Sequence, residues 1–196
     1  MIRYNSILIA LVCLACVVQQ FVPPIGLLHD MRILIVPVVF LSACLTGGLE
    51  MMLAMAFIGG FLWDCQHTLS PHTGMDSVYF EKVESLRFGY SIILYAVMGA
   101  ITLGVTPLFR SGKWQIPTLV IGVSIYCYLW TEYLLINIVR GEFSMTWEVF
   151  LKISYTSILS TLMVPLMLKL LEKLASLCNH MIKNDERRRW FAPDRI

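Results

Sequence analysis

The sequence predicts an all-α integral membrane protein, a bundle of about six transmembrane helices. Hydrophobic residues make up 58% of the 196 residues, whereas about 45–50% is usual in soluble domains. Charged residues make up 14%, against about 25% in a typical soluble domain. Apolar runs recur along most of the chain with polar connections between them. Together these features are typical of multi-span membrane proteins and argue against a soluble globular domain.

The apolar run at 116–139 is the clearest predicted span, and its only charged side chain is Glu132. At about 1.5 Å per residue, a helix of this length covers the roughly 30 Å hydrocarbon core of a bilayer. A carboxylate inside such a helix costs at least about 2–3 kcal/mol on insertion scales. We therefore expect Glu132 to face protein or a water-filled cavity, and the other spans to pack around this one.

The predicted transmembrane domain covers residues 1–178, and a basic tail follows at 179–196. The apolar block 33–63 is divided by a polar break at 47–50. Its halves are short and could form two spans or one re-entrant hairpin. The connection 64–88 is the longest, and apolar residues near helical spacing at 75–86 predict a short surface helix there. The six spans are predicted at 6–22, 32–47, 50–63, 88–109, 116–139 and 147–171.

Six crossings would place both termini on the same side of the membrane. Lys and Arg residues are more numerous on that side, mainly because of the end of the chain, which predicts cytoplasmic termini. Arg187, Arg188, Arg189 and Trp190 follow the last span closely and suit an anionic lipid surface. One short basic cluster is not a nucleic-acid-binding face, so we expect no nucleic-acid partner.

Two intramembrane charges, Glu132 and Lys152, lie on neighbouring predicted spans at similar depth. Intramembrane charges usually pair, so the two side chains could meet inside the bundle, directly or through water. Alternatively, Lys152 pairs with Glu148 one turn away and extends toward the interface. The sequence leaves both arrangements open.

The glycine pair Gly59–Gly60 also has two interpretations. Small residues let helix backbones approach closely in membranes, so the pair could serve packing within the bundle. The pair could also form a docking surface for the single span of a partner protein. A leucine at Gly59 would separate the two, because only the first interpretation predicts loss of the folded protein.

No catalytic or metal-binding motif stands out in the chain. HExxH, GxSxG and paired intramembrane aspartates are absent from the sequence, and we expect no enzymatic activity. Potential ligands occur together at Asp64, Cys65, His67 and His72, but their spacing matches no known site. An ordinary solvated loop explains them, and we expect no metal and no cofactor.

Three motifs together resemble the rod shape-determining protein MreD family of bacteria. They are GGFLWD at 59–64, LRFGYSIILYAVMGAI at 86–101 and LWTEYLLINI at 129–138. The most specific feature of the resemblance is the order of these motifs. A glycine-rich span that ends in Asp comes first, a span that begins with FG follows, and a span with an internal Glu comes last. Length, span number and a short cationic tail agree with it, so the resemblance covers nearly the whole chain.

The resemblance implies a non-enzymatic membrane subunit of the bacterial cell-elongation (rod) machinery, located in the cell (inner) membrane. Its expected partner is an MreC-like single-span protein. Through that partner it would connect to an MreB-like filament, a RodA-like synthase and a class B penicillin-binding protein. The family is similar in fold to the substrate-binding subunits of energy-coupling-factor transporters, which implies a central cavity bordered by Asp64 and Glu132.

The alternative function is a small-solute-binding transmembrane subunit of an energy-coupling-factor-type transporter. Such subunits resemble the predicted architecture but carry a small-xxx-small alanine motif on their first span. The first span here has only Ala10 and Ala15, five residues apart. The missing motif favours the scaffold function.

Overall fold

A computed structural model describes residues 2–23, 32–68, 89–110, 114–140 and 146–178, and in these ranges the only regular secondary structure is α-helix. The connections at 69–88 and 141–145 and the tail from 179 lie outside the described residues, as does the predicted surface helix at 75–86. The helices are α1 (Ile2–Phe21), α2 (Ile35–Cys44), α3 (Leu49–Thr68), α4 (Tyr90–Gly104), α5 (Thr106–Arg110), α6 (Gln115–Arg140) and α7 (Trp147–Leu177).

Three of these helices are long and apolar enough to cross a membrane. They lie at Arg3–Phe21 in α1, Gln115–Val139 in α6 and Trp147–Leu177 in α7. Helices α2 and α4 are also apolar but have only 10 and 15 residues, whereas a straight span needs about 20. The all-α class is therefore confirmed, and the apolar helices indicate a membrane protein.

The centre of the bundle is α2, and not the 116–139 segment around which we expected the helices to pack. Every residue from Val36 to Cys44 is buried, and α2 contacts α1, α3, α4, α6 and α7. The sequence of α2, IVPVVFLSAC, has no charged side chain, and a helix that is apolar all round can be buried all round. By contrast, α6 exposes Leu119 and Val123, so only one of its faces meets the protein.

The start of α2 is held by side chains from two other helices. The Gln19 Oε1 atom of α1 accepts a hydrogen bond from Ile35 N (2.6 Å), and Gln19 Nε2 donates to Ile33 O (2.8 Å). The backbone N–H of Leu34 donates to Ser160 Oγ of α7 (3.0 Å). The first N–H groups of a helix have no partner within it. These bonds therefore satisfy the start of α2 inside an apolar bundle.

Helix α3 continues to Thr68, beyond the predicted end at residue 63. Asp64 therefore lies in the helix and does not start the polar loop. Polar side chains of this last part have partners on other helices: Gln66 Nε2 donates to Cys16 O of α1 at 2.9 Å. Because contacts of this kind cannot be read from local hydropathy, the sequence predicted too short a helix.

The predicted span 88–109 is divided into α4 and α5 at Val105. Pro107 has no N–H to donate and disfavours an uninterrupted helix. The N–H groups of Leu108 and Phe109 both donate to Val105 O, at 3.1 and 3.3 Å. In α7 the helix continues through Pro165 without ending.

Close packing joins α6 to α7 at Gly122. A Cβ atom at this position would lie 2.6 Å from Thr161 Oγ1 and 2.8 Å from Thr161 Cγ2. The Thr161 hydroxyl donates to Ser157 O at 2.7 Å, which holds its rotamer. Ser157 Oγ in turn donates to Gly122 O at 3.2 Å. The seam therefore requires glycine at position 122.

We expect Gly122→Ala to destabilise the protein by about 1–3 kcal/mol, the usual cost of overpacking. Adding Thr161→Ala should recover part of the loss, because it removes the two atoms nearest to the new methyl group. Gly104→Ala is the control, since a Cβ there meets nothing within 4 Å. Thermal unfolding of the purified protein in mild detergent measures all three. A double variant no more stable than Gly122→Ala would contradict this account of the seam.

Candidate functional site

The candidate site is a group of four polar side chains at one end of the bundle. This buried polar cluster consists of Asp64 of α3, Tyr95 of α4, and Tyr128 and Glu132 of α6. Its members come from the last turns of α3, the early turns of α4 and the second half of α6. Packing of these helices brings together residues that are far apart in the sequence.

Asp64 holds the beginning of α4. It is 5% exposed, and its Oδ2 atom accepts a hydrogen bond from the backbone N–H of Gly89 at 2.6 Å. Gly89 precedes α4 with φ of 100°, a conformation that strongly favours glycine. A carboxylate at this position also suits the positive end of the helix dipole. One function of Asp64 is thus to cap a neighbouring helix.

The two tyrosines fill the centre of the cluster. Tyr95 and Tyr128 are 0% and 2% exposed. Their rings pack edge to face, with centroids 5.8 Å apart and an interplanar angle of 80°. Phe40 of α2 packs on Tyr95 from the other side, at 5.1 Å between centroids. Neither hydroxyl group has a hydrogen-bond partner among the described residues.

Glu132 lies on the inward-facing stripe of α6, one turn beyond Tyr128. Ile121, Ile125 and Tyr128 of this stripe are buried, and Glu132 itself is half-buried. Its carboxyl group faces the Tyr128 hydroxyl without the geometry of a full hydrogen bond. It also lies within electrostatic range of Asp64 and Tyr95. Glu132 therefore faces other side chains of the bundle and is partly exposed.

Lys152 does not join this cluster. Its side chain is exposed on α7, whereas the neighbouring Ile153, Thr156 and Ser157 are buried. Within the described part of the chain, no ion pair joins Lys152 to Glu132. The predicted approach of these charges is therefore not found, because residue 152 lies beside the face that α7 turns to the bundle. The exposed position agrees with the alternative in which Lys152 extends outward, although no ion pair with Glu148 is formed.

Gly59 and Gly60 lie in the interior, where α3 packs against α4 and α1. A Cβ atom on Gly60 would lie 2.6 Å from Ile92 Cα and 2.7 Å from Ile92 N. A Cβ atom on Gly59 would make ordinary contacts, 3.5 Å from Val12 Cγ1 and 3.7 Å from Tyr95 Cδ1. Both glycines are buried, which favours packing within the bundle over docking of a partner.

An exposed apolar groove runs between α4 and α6 beside the cluster. Its volume is about 290 Å³, and Tyr128 contributes to its floor. In a bilayer such a groove would face lipid chains or the span of another protein. Its other lining residues include Leu94, Val97, Ile101, Val123 and Thr131.

Arg187, Arg188, Arg189 and Trp190 lie outside the described residues, and so does His72. Among the residues that the structure describes, no three His, Cys, Asp or Glu side chains gather as a metal site would require.

Our sequence reasoning missed both tyrosines of the cluster. Tyr128 precedes Glu132 by four residues, which places the two side chains on one helix face. That spacing could have identified Tyr128. Nothing local identifies Tyr95, because its role depends on how α4 meets α6.

Comparison of the chain with protein-family models, with curated proteins and with solved structures finds no match.

Proposed function

We propose that the protein is an MreD-like scaffold subunit of the bacterial cell-elongation machinery. In this proposal it is a six-span protein of the cell membrane, similar in fold to the substrate-binding subunits of energy-coupling-factor transporters. Both termini are cytoplasmic. The protein binds an MreC-like single-span protein and helps to regulate cell shape and peptidoglycan synthesis.

The observation that carries the proposal is the meeting of three motifs in one place. Motif 59–64 contacts motif 86–101 through Gly60 against Ile92 and through the Asp64–Gly89 hydrogen bond. Tyr95 of the second motif packs on Tyr128, next to Glu132 of motif 129–138. Each motif consists mostly of apolar residues and is therefore weak evidence for a family when taken alone. Their convergence supports treating them as parts of one site.

The contacts within this site also favour a scaffold over an enzyme. Asp64 caps a helix, and the two glycines allow helices to approach closely. These roles build a rigid bundle and need no substrate. Exposed apolar side chains on α4, α6 and α7, among them Ile93, Val123 and Leu162, offer faces for lipid and for a partner's transmembrane helix.

In this proposal the six spans are formed by α1, α2, α3, α4 with α5, α6, and α7. The connections at 24–31, 69–88 and 141–145 then all lie on the side away from the termini. The proposed topology therefore places the buried polar cluster in the outer half of the membrane. There the long connection 69–88 would be available to proteins of the cell-wall machinery.

Affinity purification of the tagged chain from native membranes in mild detergent, followed by mass spectrometry, tests the proposal. We expect recovery of a coiled-coil single-span protein together with cell-wall synthases. A tagged multi-span protein of unrelated sequence, expressed at the same level, is the control. Recovery of ATPase subunits with a coupling membrane protein would contradict the scaffold and support the transporter alternative.

A further inference from the structure

The buried polar cluster has hydrogen-bonding groups without partners. The hydroxyls of Tyr95 and Tyr128 are almost completely buried, and neither forms a hydrogen bond within the described part of the chain. Buried hydroxyls without partners are rare, because they lose their bonds to water and gain nothing in return. Both hydroxyls lie within electrostatic range of Glu132 and Asp64. An additional group among these side chains would satisfy them.

The carboxylate of Glu132 also has no basic partner within the described part of the chain. No Lys or Arg side chain that the structure describes pairs with Glu132, and Lys152 on the neighbouring helix α7 is exposed. Buried charges in proteins are generally paired or bound to an ion, and those in membrane spans usually have a partner. A positive charge or a proton would therefore stabilise the half-buried carboxyl group of Glu132.

The chemistry of these side chains determines the kind of ligand. Glu132, Tyr95 and Tyr128 offer only oxygen atoms, which suit hard cations. Asp64 Oδ2 already accepts the Gly89 N–H, so Glu132 supplies the principal free charge. One carboxylate balances a monovalent cation. Divalent ions favour more charged ligands than this. The complete burial of the hydroxyls favours a bare ion over an organic ammonium group.

We propose that the buried polar cluster binds one small monovalent cation, held by the Glu132 carboxylate and the Tyr95 and Tyr128 hydroxyl oxygens. This site is independent of the proposed scaffold function. The cation would join α4 to α6 beside their apolar groove, so its binding would stabilise the packing of these two helices. The competing state has a proton on Glu132 and contains no ion.

Thermal unfolding of the purified full chain in mild detergent tests this site. Unfolding temperatures are measured in Li⁺, Na⁺ or K⁺ chloride, with N-methylglucamine chloride holding the ionic strength constant. A ligand that binds only the folded state raises the unfolding temperature as its concentration rises. We expect a saturable rise of several degrees with one of the small cations. An unfolding temperature independent of cation identity would overturn the proposal and indicate protonated Glu132.

Variants then locate the site. Glu132→Gln should abolish the cation dependence. Tyr95→Phe removes one of the proposed ligand oxygens and should raise the half-saturating concentration at least roughly tenfold, since loss of even an outer-shell partner usually costs about 10–100-fold. Glu50→Gln is the matched control, because Glu50 is an exposed carboxylate on α3, and it should keep the full response. If Glu132→Gln does not fold, the cation dependence of Tyr95→Phe and of Tyr128→Phe tests the site instead. An unchanged response in both would overturn the assignment. None of these results depends on which proteins copurify with the chain.

Discussion

Gly60→Ala is expected to cause the largest loss of stability of any single methyl addition in the bundle, about 3 kcal/mol, the upper part of the usual range for overpacking. The new Cβ atom would lie 2.6 Å from Ile92 Cα and 2.7 Å from Ile92 N. A side chain could rotate away, but these are backbone atoms of α4. Helices α3 and α4 would have to separate, which would also disturb the neighbouring Asp64–Gly89 contact.

The adjacent residue supplies the control for this prediction. At Gly59 the new Cβ atom would make only ordinary van der Waals contacts, and we expect Gly59→Ala to change stability by less than about 1 kcal/mol. Thermal unfolding and size-exclusion chromatography in the same detergent compare the two variants. Equal effects of the two substitutions would contradict the packing that we describe. Gly59→Leu is larger and should reduce the amount of folded protein, as expected for a position inside the bundle.

Asp64→Ala is expected to destabilise the protein by about 2–3 kcal/mol. The substitution removes the acceptor of the Gly89 N–H and leaves that partly buried donor without its partner. Hydrogen bonds to charged groups contribute about 1.5–3 kcal/mol. The change also removes a negative charge from the positive end of the α4 dipole, an effect of about 0.3–1 kcal/mol. Unfolding temperature in detergent measures the loss, and backbone hydrogen exchange at the start of α4 should increase.

Two further variants separate the hydrogen bond from the charge. Asp64→Asn keeps an oxygen acceptor and should lose only about 1 kcal/mol, on the scale of the helix-dipole effect. Glu50→Ala removes an exposed carboxylate from the first turn of α3, the helix that carries Asp64. It should reduce the stability by less than about 1 kcal/mol. If Asp64→Ala were no worse than Glu50→Ala, the capping role of Asp64 would be wrong.

The limits of sequence-based prediction are clear at particular residues. The helical class and the apolar segments follow from composition and periodicity, which are local properties. The end of α3 was predicted too early because Asp64 and Gln66 appear loop-like until their partners, Gly89 and Cys16, are known. Similarly, Glu132 was identified as unusual, but its neighbour across the bundle, Tyr95, was not. Apolar residues dominate most faces of these helices. The periodicity of hydrophobic residues therefore distinguishes the lipid-facing side of a helix from its protein-facing side poorly.

The sequence by itself determined that the protein is helical and apolar, where its helices lie to within a few residues, and that Glu132 needs a protected environment. These properties depend on the chemistry of neighbouring residues along the chain. Only the tertiary structure decided that α2 is the centre, that Gly60 meets the backbone of α4, and that Lys152 is exposed. Those outcomes depend on how each helix is rotated about its axis. Close packing between helices sets that rotation, and the hydropathy of a single helix does not record it.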